Sequence, residues 1–233
     1  MRSIWRTIDE RLGRQLARDI ALVLVADGLV GVSFGAIAVS DGFPLWVPIA
    51  LSVVVFGGAS QFMFIGLIAA GGALVPAVLA GLVVNARHLP FGFAVADVLG
   101  STLPRRALGS HLMIDESVAF SLAQRDPARR RAAYWICGAG LFVCWNVGVV
   151  IGGVAGTVIT DTDAFGLDAA FPAVLLALIL PSLRDRRTLT AAVVGVAIAL
   201  VTTPFVPAGL PVLLALAGVA ICRPKATEEV TVQ

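Results

Sequence analysis

Apolar residues run along this chain in long blocks. Such blocks cover Ile20–Val39, Leu45–Ala70, Leu74 to about Leu99, Ala133–Ile159, Phe165–Leu183, Leu189–Val206 and Gly209–Cys222, with a shorter one at Leu112–Ala123. A helix needs about 20 apolar residues to cross the hydrocarbon of a bilayer. The pattern therefore predicts an all-α polytopic membrane protein. It has seven clear transmembrane segments plus one short stretch, Leu112–Ala123, that either crosses or re-enters. Ahead of the first block, Ile4, Ile8, Leu12, Leu16 and Ile20 recur every four residues, with Arg2, Arg6, Arg11, Arg14 and Arg18 between them. That is an amphipathic helix of the interfacial kind. A cleavable signal peptide is the competing reading. It fails on the length and mixed charge of the leading region and on Asp27 inside the apolar core. The chain divides into an amphipathic cytoplasmic segment at 1–19, a transmembrane domain at 20–222 and a cytoplasmic tail at 223–233.

Composition narrows the class. Of 233 residues, 58% are apolar and 14% charged, whereas soluble domains sit nearer 45–50% and about 25%. An ordinary soluble enzyme, a disordered chain, a broad basic face for nucleic acid and a disulfide scaffold are excluded. Cys137 and Cys144 lie two turns apart on one helix, too far for a disulfide, and read as packing residues. Of 17 cationic residues 16 are Arg, clustered between the apolar blocks. The positive-inside rule then places the N-terminus, the loop near residue 128, the loop near residue 185 and the C-terminus in the cytoplasm. The first half resists this assignment. Three crossings from an inside start end outside, yet residue 129 must be inside. Either Leu112–Ala123 crosses, giving eight passes and an outside Arg105–Arg106, or one of the first three blocks is re-entrant.

Polar groups inside apolar blocks cost several kcal/mol and are functional candidates. Phe56-Gly-Gly-Ala-Ser-Gln-Phe62 interrupts the second block. A helix break at Gly57 and Gly58, with Ser60 and Gln61 beside it, would free backbone groups at mid-depth, where transporters hold a zwitterion; close packing of small residues is the alternative. Asn85-Ala-Arg87-His88-Leu-Pro90 interrupts the third. Arg87 can bind a carboxylate or pair with a membrane acid, or snorkel to the surface. His88 can relay a proton or serve only as a hydrogen-bonding strut. Asp115 and Glu116 can pair with Arg87 or exchange protons, or simply begin a helix. Asp27 and Asp168 are single membrane acids. Asn85 joins the substrate-binding candidates Gly57, Gly58, Ser60, Gln61 and Arg87, while Asp27, His88, Asp115, Glu116 and Asp168 form a candidate charge or proton-coupling network. Gly148, Gly152 and Gly156 form a packing face, and Trp145-Asn146 gives a weak cavity signal. Residues 58–81 are echoed weakly by 167–195, as an internal repeat or a chance likeness of apolar sequence. Ser60 with His88 superficially suggests an intramembrane serine protease, but leaves Arg87 and the acids without a role. No Walker loop, zinc motif or Rossmann fingerprint is present. No enzyme activity, cofactor or metal is expected.

Four motifs in order, Phe56–Phe62, Asn85–His88, Asp115-Glu116-Ser117 and Gly166-Leu-Asp168 with Phe171-Pro172-Ala173, resemble the AzlC-type branched-chain amino acid permeases, the large subunit of the LIV-E exporter family. The likeness runs over about residues 20–222. It implies a bacterial inner-membrane exporter of branched-chain amino acids, in some members also methionine. It also implies a small AzlD-type membrane subunit as partner and a secondary, proton-driven mechanism. Ala169 stands where an aromatic often follows the acid, which bears on side-chain preference. Import, another small solute, or a non-transporting scaffold subunit are the competing roles.

Overall fold

The computed structural model describes residues 12–158, 176, 180, 182–206 and 210–221. All regular elements among them are helices. They are α1 (Arg14–Ser40), α2 (Trp46–Val54), α3 (Gly58–Ala69), α4 (Leu74–Asn85), α5 (His88–Ala94), α6 (Ala96–Leu99), α7 (Leu103–His111), α8 (Asp115–Leu122), α9 (Pro127–Gly156), a 3₁₀ turn at Ser182–Arg184, α10 (Arg186–Thr202), α11 (Leu210–Leu214) and α12 (Ala217–Ile221). Among the described residues, three stretches are long and apolar enough to cross a membrane: Arg14–Ser40, Leu74–Ala94 and Pro127–Gly156.

The spine is α1 against α9. They run parallel, since Gly13 lies beside Arg129, Gly28 beside Cys144 and Gly156 beside Ala36. Small residues let the two backbones touch. A Cβ on Gly31 would come within 2.8 Å of the Trp145 carbonyl oxygen, and one on Gly156 within 2.8 Å of the Ala36 carbonyl oxygen. At Gly35, Gly148 and Gly152 it would overlap the facing backbone outright. The packing role expected of the Gly148–Gly152–Gly156 face is thus realised. On the outer faces Leu22, Val25 and Leu29 of α1 and Val147, Ile151 and Val154 of α9 are exposed, a surface suited to lipid tails. Asp126 starts α9, its carboxylate accepting from the Arg129 N–H at 2.8 Å, with Pro127 in the first turn.

The second apolar block is not one span. α2 descends along α9, with Leu45 beside Gly153, Ser52 bonded to Asn146 and Phe56 against Phe142. The chain then breaks at Val55–Gly57, where Phe56 takes φ +43°, a conformation disfavoured for any side chain. α3 turns back: Ala59 shares a wall with Ala26 and Asp27, and Phe62 meets Phe34 farther along α1 at 5.1 Å. Gln61 Nε2 donates to the Leu51 carbonyl at 3.1 Å. In an unbroken helix those residues would lie about 15 Å apart.

Helix α4 packs on α3, with Gly81 over Ser60 and Asn85 beside Gly57. It continues through Ala86–Arg87 into α5, ending where Arg130 donates to the Ala94 carbonyl at 2.6 Å. From that same end α7 rises, with Tyr134 Oη donating to the Gly109 carbonyl, to an apex at Leu112 beside Gly138. α8 returns to place Ser121 on the Arg130 carbonyl. The 8 residues of α8 reach about 12 Å, so this stretch does not cross a layer of about 30 Å. Leu112–Ala123 thus turns back on α7 instead of forming one long helix, and α2–α3 is a second such hairpin. Hairpin α2–α3 enters from one end and α7–α8 from the other, and Phe56 meets His111 between their apices at 6.2 Å. Arg106 Nε donates to the Gly100 carbonyl and Arg131 to that of Asp97, so Arg105–Arg106 lie at the Arg129–Arg131 end of the bundle. Farther along, α12 packs on α10 through Gly218 against Gly195.

Candidate functional site

A cavity of about 300 Å³ lies midway along the spine. Binding sites for small molecules begin at roughly this size. Its apolar wall is Val23, Ala26, Val30, Phe62, Ile114 and Trp145, and its polar groups are Asp27, Arg87, Asp115 and Glu116. Gly58 and Ala59, the first residues of α3, complete it.

Each polar group arrives by a local break or turn. Pro90 has no N–H, and the Leu89 N–H closes a tighter turn onto the Ala86 carbonyl at 3.1 Å. His88 Nδ1 donates to the Asn85 carbonyl at 2.9 Å. That irregular turn aims Arg87 inward. Asp115 and Glu116 form the first turn of α8, where the helix dipole favours acids. Ser117 Oγ holds the turn, accepting from the Ile114 N–H at 3.0 Å. The acidic pair thus starts a helix and also lines the cavity. Arg87 Nη2 meets Asp115 Oδ2 at 2.9 Å, with both side chains about one-third exposed (31% and 33%). Among the described residues, Asp27 Oδ2, Asn85 Oδ1, Arg87 Nε and His88 Nε2 are buried without a hydrogen-bond partner.

The α3 N-terminus has no side-chain cap. Its first N–H groups have no partner inside the helix, and at Gly58 and Ala59 they border the cavity. A half-helix N-terminus of this kind receives anions. Ser60 and Gln61 occupy a different place. Ser60 Oγ donates to the Gly57 carbonyl at 2.7 Å. Gln61 bridges the Leu51 carbonyl and Trp145 Nε1, the latter donating at 3.1 Å. Both are buried and brace the break. With Asn85 they line a separate apolar cleft between α2, α3 and α4.

The structure thus brings together Asp27, Gly58, Arg87, Asp115 and Glu116. Gly57, Ser60, Gln61, Asn85 and His88 form the scaffold behind them, and Asp168 lies outside the described residues. Trp145, a weak signal in sequence, stacks on Phe34 with centroids 5.9 Å apart and walls the cavity. Val23 and Val30 carried no signal of their own, although helical spacing from Asp27 sets them on its face. His111 was missed, because nothing local marks the apex of a re-entrant hairpin.

Broken helices around a charged pocket, within apolar helices, define a helical membrane protein with an internal polar site. Comparison with known proteins narrows the class. The AzlC protein family matches residues 23–159, and the chain belongs to that family. It is similar to the branched-chain amino acid transport protein AzlC of Bacillus subtilis, 24% identical over 208 residues, covering 87% of this chain and 82% of that protein. An uncharacterized membrane protein of Archaeoglobus fulgidus is 31% identical over 173 residues, covering 73% and 75%. The inner membrane protein YgaZ of Escherichia coli is 28% identical over 203 residues, covering 83% and 82%. No solved structure matches the chain.

Proposed function

We propose that this chain is the large subunit of a proton-driven exporter of valine, leucine and isoleucine, with methionine as a substrate of similar shape. The cavity carries the reading. It is lined by an arginine, the uncapped first residues of α3, three carboxylates and aliphatic and aromatic side chains. A zwitterion with an apolar side chain needs that combination. Its carboxylate goes to Arg87 and the Gly58–Ala59 N–H groups, and its ammonium to Asp27 and Glu116. Its side chain lies on Val23, Val30, Phe62 and Ile114. The name of the Bacillus subtilis relative agrees with this substrate class.

In this reading the chain sits in a bacterial inner membrane with both termini cytoplasmic. Residues 1–19 lie in the cytoplasmic interface, 20–222 form the transport domain and 223–233 are a tail. The arginine-rich end of the spine faces the cytoplasm. α1, α4–α5 and α9 cross, α2–α3 re-enters from outside and α7–α8 from inside. α10 and the short α11–α12 pair continue the transport domain, and the expected span Phe165–Leu183 lies largely outside the described residues. Access alternates as the two hairpins part from the cavity in turn. A small AzlD-type subunit completes the exporter.

The test is efflux of labelled leucine, isoleucine, valine and methionine from proteoliposomes holding the chain and its small partner, with the proton gradient imposed or collapsed. Gradient-dependent efflux is expected, and Arg87→Ala abolishes it in protein that still inserts. Absence of flux for all four, or unchanged flux in Arg87→Ala, overturns the assignment.

A further inference from the structure

The charges around the cavity do not balance. Asp27, Asp115 and Glu116 face it with Arg87 as the single cation among the described residues. Asp115 is committed to Arg87 at 2.9 Å, and that pair is neutral. Asp27 on α1 and Glu116 on α8 remain. Both line the same largely apolar cavity, and the charge of Glu116 bears on Asp27. The other groups that face them are Arg87, Asp115 and, from α9, the Cys137 thiol, which feels both acids; α3 contributes only Gly58, Ala59 and Phe62. His88 is turned to the Asn85 carbonyl and is not on the cavity wall. Two like charges in one low-dielectric pocket are costly, and one cation, a proton or a substrate ammonium group, offsets one of them.

We infer that Asp27 and Glu116 form the coupling pair of this cavity, sharing one proton when it is empty and releasing that proton as the substrate's ammonium group arrives. The inference rests on the transport reading above and adds its stoichiometry and its carriers. The pair holds one net negative charge with the proton bound. It holds the same net charge with the ammonium bound and the proton gone. Proton and substrate therefore exclude one another, which is antiport. The pair also spans two elements, the spine helix α1 and the inner hairpin α7–α8, so its state is tied to whether that hairpin is seated. Neutralising either acid leaves one carboxylate that stays charged with or without substrate. Binding is then weaker, and no proton is displaced by it.

The experiment uses the complete complex in proteoliposomes, with the membrane potential clamped at zero. Two quantities are read: exchange of labelled leucine without any gradient, and leucine accumulation against a one-unit pH gradient. One proton per substrate supports about tenfold accumulation, and two about a hundredfold. Wild type is expected to reach the lower value. Asp27→Asn and Glu116→Gln are expected to need more leucine for half-maximal exchange and to lose accumulation at every leucine concentration. The double variant is expected to lose both, and Asp27→Glu to keep both. Accumulation persisting in either single neutral variant, a hundredfold limit in wild type, or driving by a sodium gradient at constant pH overturns the pairing. So does loss of exchange in both single variants when their elution from a sizing column is unchanged. No exchange by wild type overturns the transport reading itself, and this inference with it.

Discussion

Gly152→Ala probes the contact on which the site's placement depends, because α1 carries Asp27 and α9 carries Trp145. At Gly156 a new Cβ would meet the Ala36 carbonyl oxygen at 2.8 Å, well short of ordinary contact, and at Gly152 its overlap with the Val32 carbonyl is deeper. Both partners are backbone, so no side chain can rotate away and the helices must separate. A gap of roughly 0.5–1 Å already forfeits a quarter to a half of each dispersion contact. Overpacking costs about 1–3 kcal/mol, and a backbone-on-backbone clash belongs at the upper end. Against this, alanine is favoured over glycine in a helix by about 1 kcal/mol. The net is a loss of about 2 kcal/mol, or about 4–8 °C in Tm for a chain of this length. Gly140→Ala on the same helix is the control. Its Cβ would meet only the end of Leu24, at 2.7 Å. That side chain can turn aside, so the propensity gain survives and Tm holds or rises. Thermal unfolding in detergent, followed by tryptophan fluorescence, reads both. A Gly152→Ala protein that melts at or above wild type, or a Gly140→Ala protein that loses as much, refutes the close-contact argument.

Two further outcomes follow from the scaffold. Gln61→Leu removes a donor from the Leu51 carbonyl, which keeps the Val55 and Phe56 N–H groups at 2.9 and 3.3 Å. The cost is therefore the stranded Trp145 N–H, about 1–3 kcal/mol; Trp145→Phe in the same protein should recover part of it, and additive losses in the melts would refute the bond's role. At the start of α10, Asp185 accepts from the Thr188 N–H and hydroxyl at 2.8 and 2.9 Å, and those bonds, the backbone one foremost, hold its carboxyl below the usual aspartate range. A lowered folded value means stabilisation that is complete at neutral pH and fades as the pH falls through the ordinary aspartate range toward that value. Protection factors in the first turn of α10, taken against the intrinsic exchange rate at each pH, should therefore fall in acid for wild type and already be low at neutral pH for Asp185→Ala, and equal protection in the two proteins at neutral pH would exclude the cap.

The apolar blocks and their arginine-rich separators were enough to establish a helical membrane protein, because a bilayer admits few ways to satisfy a backbone. Individual irregular positions were legible for a related reason. Gly57-Gly58, Arg87 with Pro90, and Asp115-Glu116 each violate what a continuous apolar helix requires, and each marks a real interruption. The small-residue face of α9 was likewise visible as a period of four. The direction of the chain after each interruption was not legible. Hydropathy counts apolar residues and is blind to a reversal, so Leu45–Ala70 scored as one span although α3 folds back on α2. Nor could composition separate Gly58, which borders the cavity, from Ser60 and Gln61, which brace it from behind. That choice depends on which side of α3 faces α9, and the packing of Gly58 on Trp145 decides it. The ion pair of Arg87 with Asp115, the isolation of Asp27 with Glu116 and the meeting of Phe56 with His111 join residues remote in sequence. They exist because two helical hairpins meet against a glycine-packed spine, an arrangement that only long-range contact energy can select.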